Sequence, residues 1–190
     1  DSRMAPDLLR DVNGEDISLT EKWQSLWVDV CPGENQEAGC YRIVFQFEDN
    51  EDLNIQCAAE IQVLDRILPP LPILHTEWFH CDGIVDYYGV EAFSEEFWRI
   101  FRNFIQVYVK RGGNMIYVPV LTPPLDTEKG LERTTIQLVK VEIAENTYRF
   151  DFTDLNRFLE ICQLEGIHHF EICHLFTQWG ATAAPKVVAW

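Results

Sequence analysis

Basic residues are scarce in this chain. Its 190 residues hold 15 Lys+Arg against 31 Asp+Glu, a formal net charge of −16. Phosphate backbones and anionic headgroups are bound by clustered Lys and Arg, so neither nucleic acid nor a membrane surface is an expected partner. Long apolar runs are missing too: none reaches the roughly 18 residues that cross a bilayer. The six cysteines form no C-x-x-C pair, which argues against a zinc ribbon or a thioredoxin site. There is no G-x-G-x-x-G, Walker loop, H-E-x-x-H or G-x-S-x-G, so the dinucleotide, nucleotide, zincin and serine-hydrolase readings have no sequence basis. No cofactor is expected. What is present, 47% hydrophobic and 13% aromatic residues, is the composition of a folded globular protein.

The charge is uneven. Residues 1–68 carry 5 Lys/Arg and 15 Asp/Glu, whereas residues 69–190 carry 10 and 16. The break falls at Leu68-Pro69-Pro70-Leu71-Pro72, a stiff segment that neither a helix nor a central strand tolerates. Two domains are therefore expected, residues 1–68 and 73–190, with 69–72 as linker. The start at Asp1-Ser2-Arg3, without Met, and the stop at Ala189-Trp190 are what a piece of a longer protein would show. Cys57, Cys162 and Cys173 lie among apolar residues and read as small core side chains. Cys31 and Cys40 flank a Pro-Gly loop and are expected to remain unpaired. Unpaired thiols favour a reducing, cytoplasmic compartment.

In the acidic part, residues 25–30, 39–47 and 53–64 alternate polar and apolar side chains, the pattern of antiparallel strands. Tyr41, Ile43, Phe45 and Phe47 share one face of the second run. Three strands bury too little to make a sandwich, which needs about seven. The expectation is the last part of a β-sandwich.

After Pro72 the pattern changes. Residues 73–80 read as a buried strand and 81–93 as an aromatic, acidic loop. Ser94 caps a helix, Glu95 and Glu96 suit its first turn, and Phe97, Ile100, Phe101, Phe104 and Tyr108 form its core stripe. Gly112 marks its stop, and residues 115–121 read as a second strand. Residues 137–143 and 147–152 predict an inserted hairpin, Thr153 the cap of a helix over 154–164, and 168–176 a third strand. Strand, helix, strand, helix, strand implies parallel βαβ units in an α/β fold.

Chemistry in such folds sits at the C-terminal ends of the strands. Those ends carry Trp78, His80 and Asp82 with Tyr87 and Tyr88, then Arg133, then His174 and Trp179. Aromatic faces beside carboxylate, imidazole and guanidinium groups are a common sugar-binding combination. Each residue also has a plainer reading. Trp78 fits the core, Glu77 a buried partner of Arg or His, Tyr87 and Tyr88 a cover, Arg133 a loop salt bridge and Glu171 a structural carboxylate. His75, His80, Cys81, Asp82, His168, His169 and His174 offer metal donors without a metal-binding spacing. His168 and His169 also point to opposite faces of a strand, so no metal is expected.

From Leu68 to Lys186 the chain resembles the start of the catalytic barrel of glycoside hydrolase family 123-like proteins, long known only as a domain of unknown function. The stretches that carry the resemblance are His75-Thr-Glu-Trp-Phe-His-Cys-Asp82, Phe93-Ser-Glu-Glu-Phe-Trp98, and Gly113-Asn-Met-Ile-Tyr-Val-Pro-Val-Leu-Thr-Pro-Pro-Leu-Asp126. They continue in Glu132-Arg-Thr-Thr-Ile-Gln-Leu-Val139, Tyr148-Arg-Phe-Asp-Phe152, His174-Leu-Phe-Thr-Gln-Trp-Gly180 and Ala184-Pro-Lys186. Leu26-Trp-Val28, Pro32 and Gly39-Cys-Tyr41 are similar to the end of the β-sandwich that precedes this barrel.

The resemblance implies a bacterial β-glycosidase acting on N-acetyl-β-galactosaminides with retention. The substrate acetamido group would be the nucleophile, assisted by an adjacent Asp-Glu pair, one of the exceptions to the two-carboxylate scheme. In the family that pair follows a later strand. Residues 73–190 span about half of the roughly 250 that a full (β/α)8 barrel needs. The chain is thus expected to hold the first three barrel strands, with the pair beyond Trp190. Trp78, His80, Asp82, Tyr88, Arg133, His174 and Trp179 would form one wall of the sugar site. A non-catalytic carbohydrate-binding protein with a degenerate barrel is the alternative, and a purely structural module the third reading. Oligomeric state is not readable.

Overall fold

The computed structural model describes residues 12, 17, 25–33, 35–48, 54–122, 131–145, 147–176, 180–182 and 184–190. The chain divides into two units, Asp1–Ile67 and Leu68–Trp190.

In the first unit, β1 (Gly39–Glu48) pairs antiparallel with β2 (Asn54–Val63), in register from Gly39↔Val63 to Glu48↔Asn54. Tyr41, Ile43 and Phe45 are half-buried while their neighbours are exposed, so the alternation shows in the fold. Two expectations change. Residues 25–30 form no strand; the polar groups of Trp27 and Asp29 meet each other, Nε1 donating to Oδ1 at 2.9 Å. Cys57 is exposed, because β2 has little packed over it among the described residues. Cys31 and Cys40 are free and exposed.

The second unit is mixed α/β. Its parallel sheet has the order β3 (Thr76–Glu77), β4 (Met115–Val118), β7 (His169–Ile172). Between these run α1 (Asp82–Tyr88), α2 (Glu95–Lys110), the hairpin β5 (Lys140–Ala144) and β6 (Thr147–Asp151), and α3 (Thr153–Leu164). The parallel strand–helix order read from the sequence is therefore present. The expected strand over 73–80 is only two residues long, and the expected loop over 81–93 contains α1.

Helix α2 follows from its residues. Ser94 Oγ accepts from the Phe97 N–H at 3.2 Å, Glu95 and Glu96 meet the positive end of the helix, and Lys110 the negative end. Phe97, Trp98, Ile100, Phe101 and Ile105 are buried along one side. They join Ile116 and Val118 of β4, Ile136, Leu138, and Phe158 and Cys162 of α3 in the core. Each such side chain removed from water contributes roughly 1.5–3 kcal/mol. The ring of Phe101 lies 4.5 Å from that of Phe158. On the surface, both Nη atoms of Arg157 donate to the Glu95 carboxylate at 2.7 and 2.6 Å, joining α3 to α2, and its guanidinium lies 5.1 Å from the Trp98 ring centre.

The start of α3 corrects another expectation. Thr153 is the first helical residue, not the cap; Asp151 Oδ1 accepts from both its N–H and its Oγ1. At the far end of α2, the Tyr108 hydroxyl lies 2.9 Å from His75 O and 2.7 Å from Met115 O. The Asn114 amide extends this join: Oδ1 accepts from the His75 N–H at 2.8 Å, and Nδ2 reaches Leu71 O and Ile73 O at 3.3 and 2.9 Å. Near the end of the chain, the buried Gln137 side chain accepts from the Val188 N–H at 2.9 Å and donates to Val188 O at 3.0 Å. It thereby aligns that segment beside β5, where Val141 bridges Ala189.

Candidate active site

Side-chain alternation assigns the two faces of the parallel sheet. Phe79 packs on the helix side, 5.6 Å from Phe101 and 5.8 Å from Phe104 between ring centres. Trp78 and His80 on either side of it turn to the other face. Ile116 and Val118 of β4 are in the core, so Tyr117 between them also turns to that other face. There four rings meet. Tyr117 lies 5.5 Å from Trp78, 5.8 Å from His80 and 6.2 Å from His174, and Trp78 lies 5.6 Å from His174. Trp78 is 50% exposed and Tyr117 fully buried, so the cluster has a buried base and an open indole. The histidines are half-buried.

Beside this cluster in the chain is a charge pair. Arg133 Nε donates to Asp82 Oδ2 at 2.7 Å, with 22% of the arginine and 10% of the aspartate side chain exposed. Two further bonds hold the same loop. Thr134 Oγ1 donates to Asp86 Oδ1 at 2.7 Å, and Lys186 Nζ donates to Glu132. Three consecutive residues are thus tied to α1 and to the segment near the end of the chain.

Of the residues singled out in the sequence, Trp78, His80 and His174 come together, and Asp82 and Arg133 pair. Tyr88 does not join them: its ring meets Tyr87 at 5.0 Å and Phe104 at 6.4 Å, on the helix side. Trp179 lies outside the described residues. Glu77 is a partner of His75 at 2.8 Å, but an exposed one rather than a buried one. Glu171 is half-buried and stands opposite Tyr117 in the ladder. Cys81, next to Asp82, is buried, and burial together with the Asp82 charge pushes its thiol far above the usual range. It is a packing residue, not a nucleophile. Cys162 is pushed up to about 12 by burial and is likewise inert.

Tyr117 is the member of the cluster that the sequence did not single out. In Met-Ile-Tyr-Val it reads as one more apolar strand residue. The signal that would have found it is alternation: it shares a face with Trp78 and His80, not with Ile116 and Val118. Burial, with Cys173 and Glu171 nearby, raises its phenol well above the usual range, so it stays neutral. Among the described residues no group of three or more His, Cys, Asp or Glu is placed to hold a metal ion.

The profile of the glycoside hydrolase 123 catalytic domain matches residues 78–190. No curated protein matches the chain. Among solved structures it is similar to a family 123 glycoside hydrolase from Clostridium perfringens, described for glycolipid glycan hydrolysis. The TM-score is 0.59 at 18% identity, over 70% of this chain and 24% of that one. The chain therefore spans about a quarter of that structure's length. By the match over residues 78–190, the chain belongs to glycoside hydrolase family 123.

Proposed function

We propose that this chain forms one part of a retaining β-glycosidase that acts on β-linked N-acetylhexosaminides, N-acetylgalactosaminides foremost. Residues 1–68 are read as the end of a β-sandwich and residues 73–190 as the first three strands of a (β/α)8 barrel. The four-ring face then lines the barrel interior and supplies one wall of the sugar site. The indole of Trp78 offers a flat apolar surface to the C–H face of a pyranose, and His80 and His174 offer ring nitrogens to its hydroxyls. Asp82 holds Arg133 in position beside that wall. The Asp-Glu pair that would assist the acetamido group belongs to a later strand end, beyond Trp190. The glycan of a glycolipid, on which the Clostridium perfringens enzyme acts, fits this substrate class.

The observation that supports the reading best is the grouping of Trp78, His80 and His174 on one sheet face. The test is hydrolysis of a chromogenic N-acetyl-β-galactosaminide by the full-length protein, with the first-formed anomer followed by NMR. Retention, together with a loss of tenfold or more in kcat/KM for Trp78→Ala, is the expected result. Sugar binding without turnover would replace this reading by that of a non-catalytic carbohydrate-binding protein. An active protein indifferent to Trp78→Ala would remove this face from the site.

A further inference from the structure

The residue on which the sheet face converges is Tyr117. It lies on the central strand of the sheet, fully buried, and its ring meets Trp78, His80 and His174. Its hydroxyl is buried and has no hydrogen-bond partner among the described residues. A hydroxyl left in that state costs stability, and phenylalanine would fill the same space without the cost. A buried hydroxyl without a partner among the described residues points to a use for its oxygen.

We infer that Tyr117 is the positioning residue of the proposed sugar site: its ring sets the planes of Trp78 and His174, and its hydroxyl forms its hydrogen bond only once sugar has closed over the face. The inference rests on the glycosidase reading above. The neutral phenol keeps its proton available as a donor in that state. The adjacent strand β7 places Glu171 opposite Tyr117 in the ladder, so a carboxylate stands on the same face of the sheet.

Three variants of the full-length protein test this: Tyr117→Phe, Tyr117→Leu and Trp78→Ala. Tyr117→Phe deletes only the oxygen. The expected result is an unchanged or higher thermal midpoint with kcat/KM about tenfold lower, a combination that a merely structural hydroxyl does not give. Tyr117→Leu also removes the base under the rings, and its kcat/KM should fall further. If Tyr117→Phe keeps full kcat/KM while Trp78→Ala loses it, the role of Tyr117 is overturned and the sugar wall stands. A lower midpoint with unchanged kinetics for Tyr117→Phe overturns it too, by making the hydroxyl structural. If Trp78→Ala is silent, the sugar wall fails and the inference about Tyr117 fails with it.

Discussion

Arg133 reaches back 51 positions along the chain to donate from Nε to Asp82 Oδ2 at 2.7 Å. The contact fastens a loop to the first turn of α1, two residues after His80. Both side chains are largely shielded, so the pair lies between an exposed ion pair, worth under about 1 kcal/mol, and a fully buried one, whose breaking costs about 3–5 kcal/mol.

Arg133→Ala should therefore lower stability by about 1–3 kcal/mol. Arg133→Lys should recover only part of this, since an ammonium lacks the planar N–H that meets Asp82. A double-mutant cycle with Asp82→Asn in urea unfolding measures the coupling. A coupling near zero would mean that the pair does not hold the loop.

Ser94→Ala should cost about 1 kcal/mol by freeing the Phe97 N–H at the start of α2. Ser94→Asp should be close to neutral, because a carboxylate caps the same group. Thermal melts of the two variants distinguish a capping role from a packing one.

Gly113 should not accept alanine. A Cβ there would lie 2.3–2.4 Å from atoms of the Tyr108 ring. The ring would have to move, and its hydroxyl would leave the carbonyls of His75 and Met115. Gly113→Ala should cost roughly 2–3 kcal/mol, a clash plus a lost hydrogen bond. With Tyr108→Ala already in place the added cost should nearly vanish. An undiminished cost would exclude the ring as its cause.

Acid should loosen the second unit through named carboxylates. The Glu95 carboxyl is held below its usual range by hydrogen bonds from Arg157, Asp151 by Thr153, and Glu132 by Lys186. Each binds its proton more readily in the unfolded chain. Their stabilisation is therefore complete above the ordinary carboxylate range and is lost as pH falls through the lowered values. The midpoint of unfolding, followed from pH 7 downward, should drop in that window. Glu95→Gln should flatten the drop, and an identical profile would rule out Glu95 as a contributor.

Much of the second unit was legible because its signals are local. Of the stripe read in α2, Phe97, Ile100 and Phe101 are buried and Tyr108 packs against the core, while Phe104 is 42% exposed; that stripe, the Ser94 cap and the alternation on either side of residues 144–146 each need only a few neighbouring residues to be read. What was not legible depends on partners far along the chain. Helix α1 is seven residues long, has no side-chain cap and contains Gly83, so the same residues read equally well as a loop. Before Thr76 the strand expected over 73–80 gives way to side-chain bonds: His75 O still accepts from the Met115 N–H, but His75 N–H, Ile73 O and Leu71 O are met by the Asn114 side chain. Residues 25–30 alternate as a strand does, yet pairing needs a second strand, and pattern alone does not supply one. Within the candidate site, the rings of Trp78, His80 and His174 were readable as strand-end residues. Tyr117 was hidden because its partners come from the segments that follow two other strands, β3 and β7.

The Asn114 side chain makes one more thing follow. It offers an acceptor to one backbone group and a donor to two others, a task that only a carboxamide performs. Spontaneous hydrolysis of that amide would leave a carboxylate facing the carbonyl oxygens of Leu71 and Ile73, with repulsion where there had been attraction. The chain leading into β3 would then keep its bonds at His75, to the Tyr108 hydroxyl and the Met115 N–H, but lose those at Leu71 and Ile73. At this one position, the loss of a single amide nitrogen would act on two backbone contacts at once.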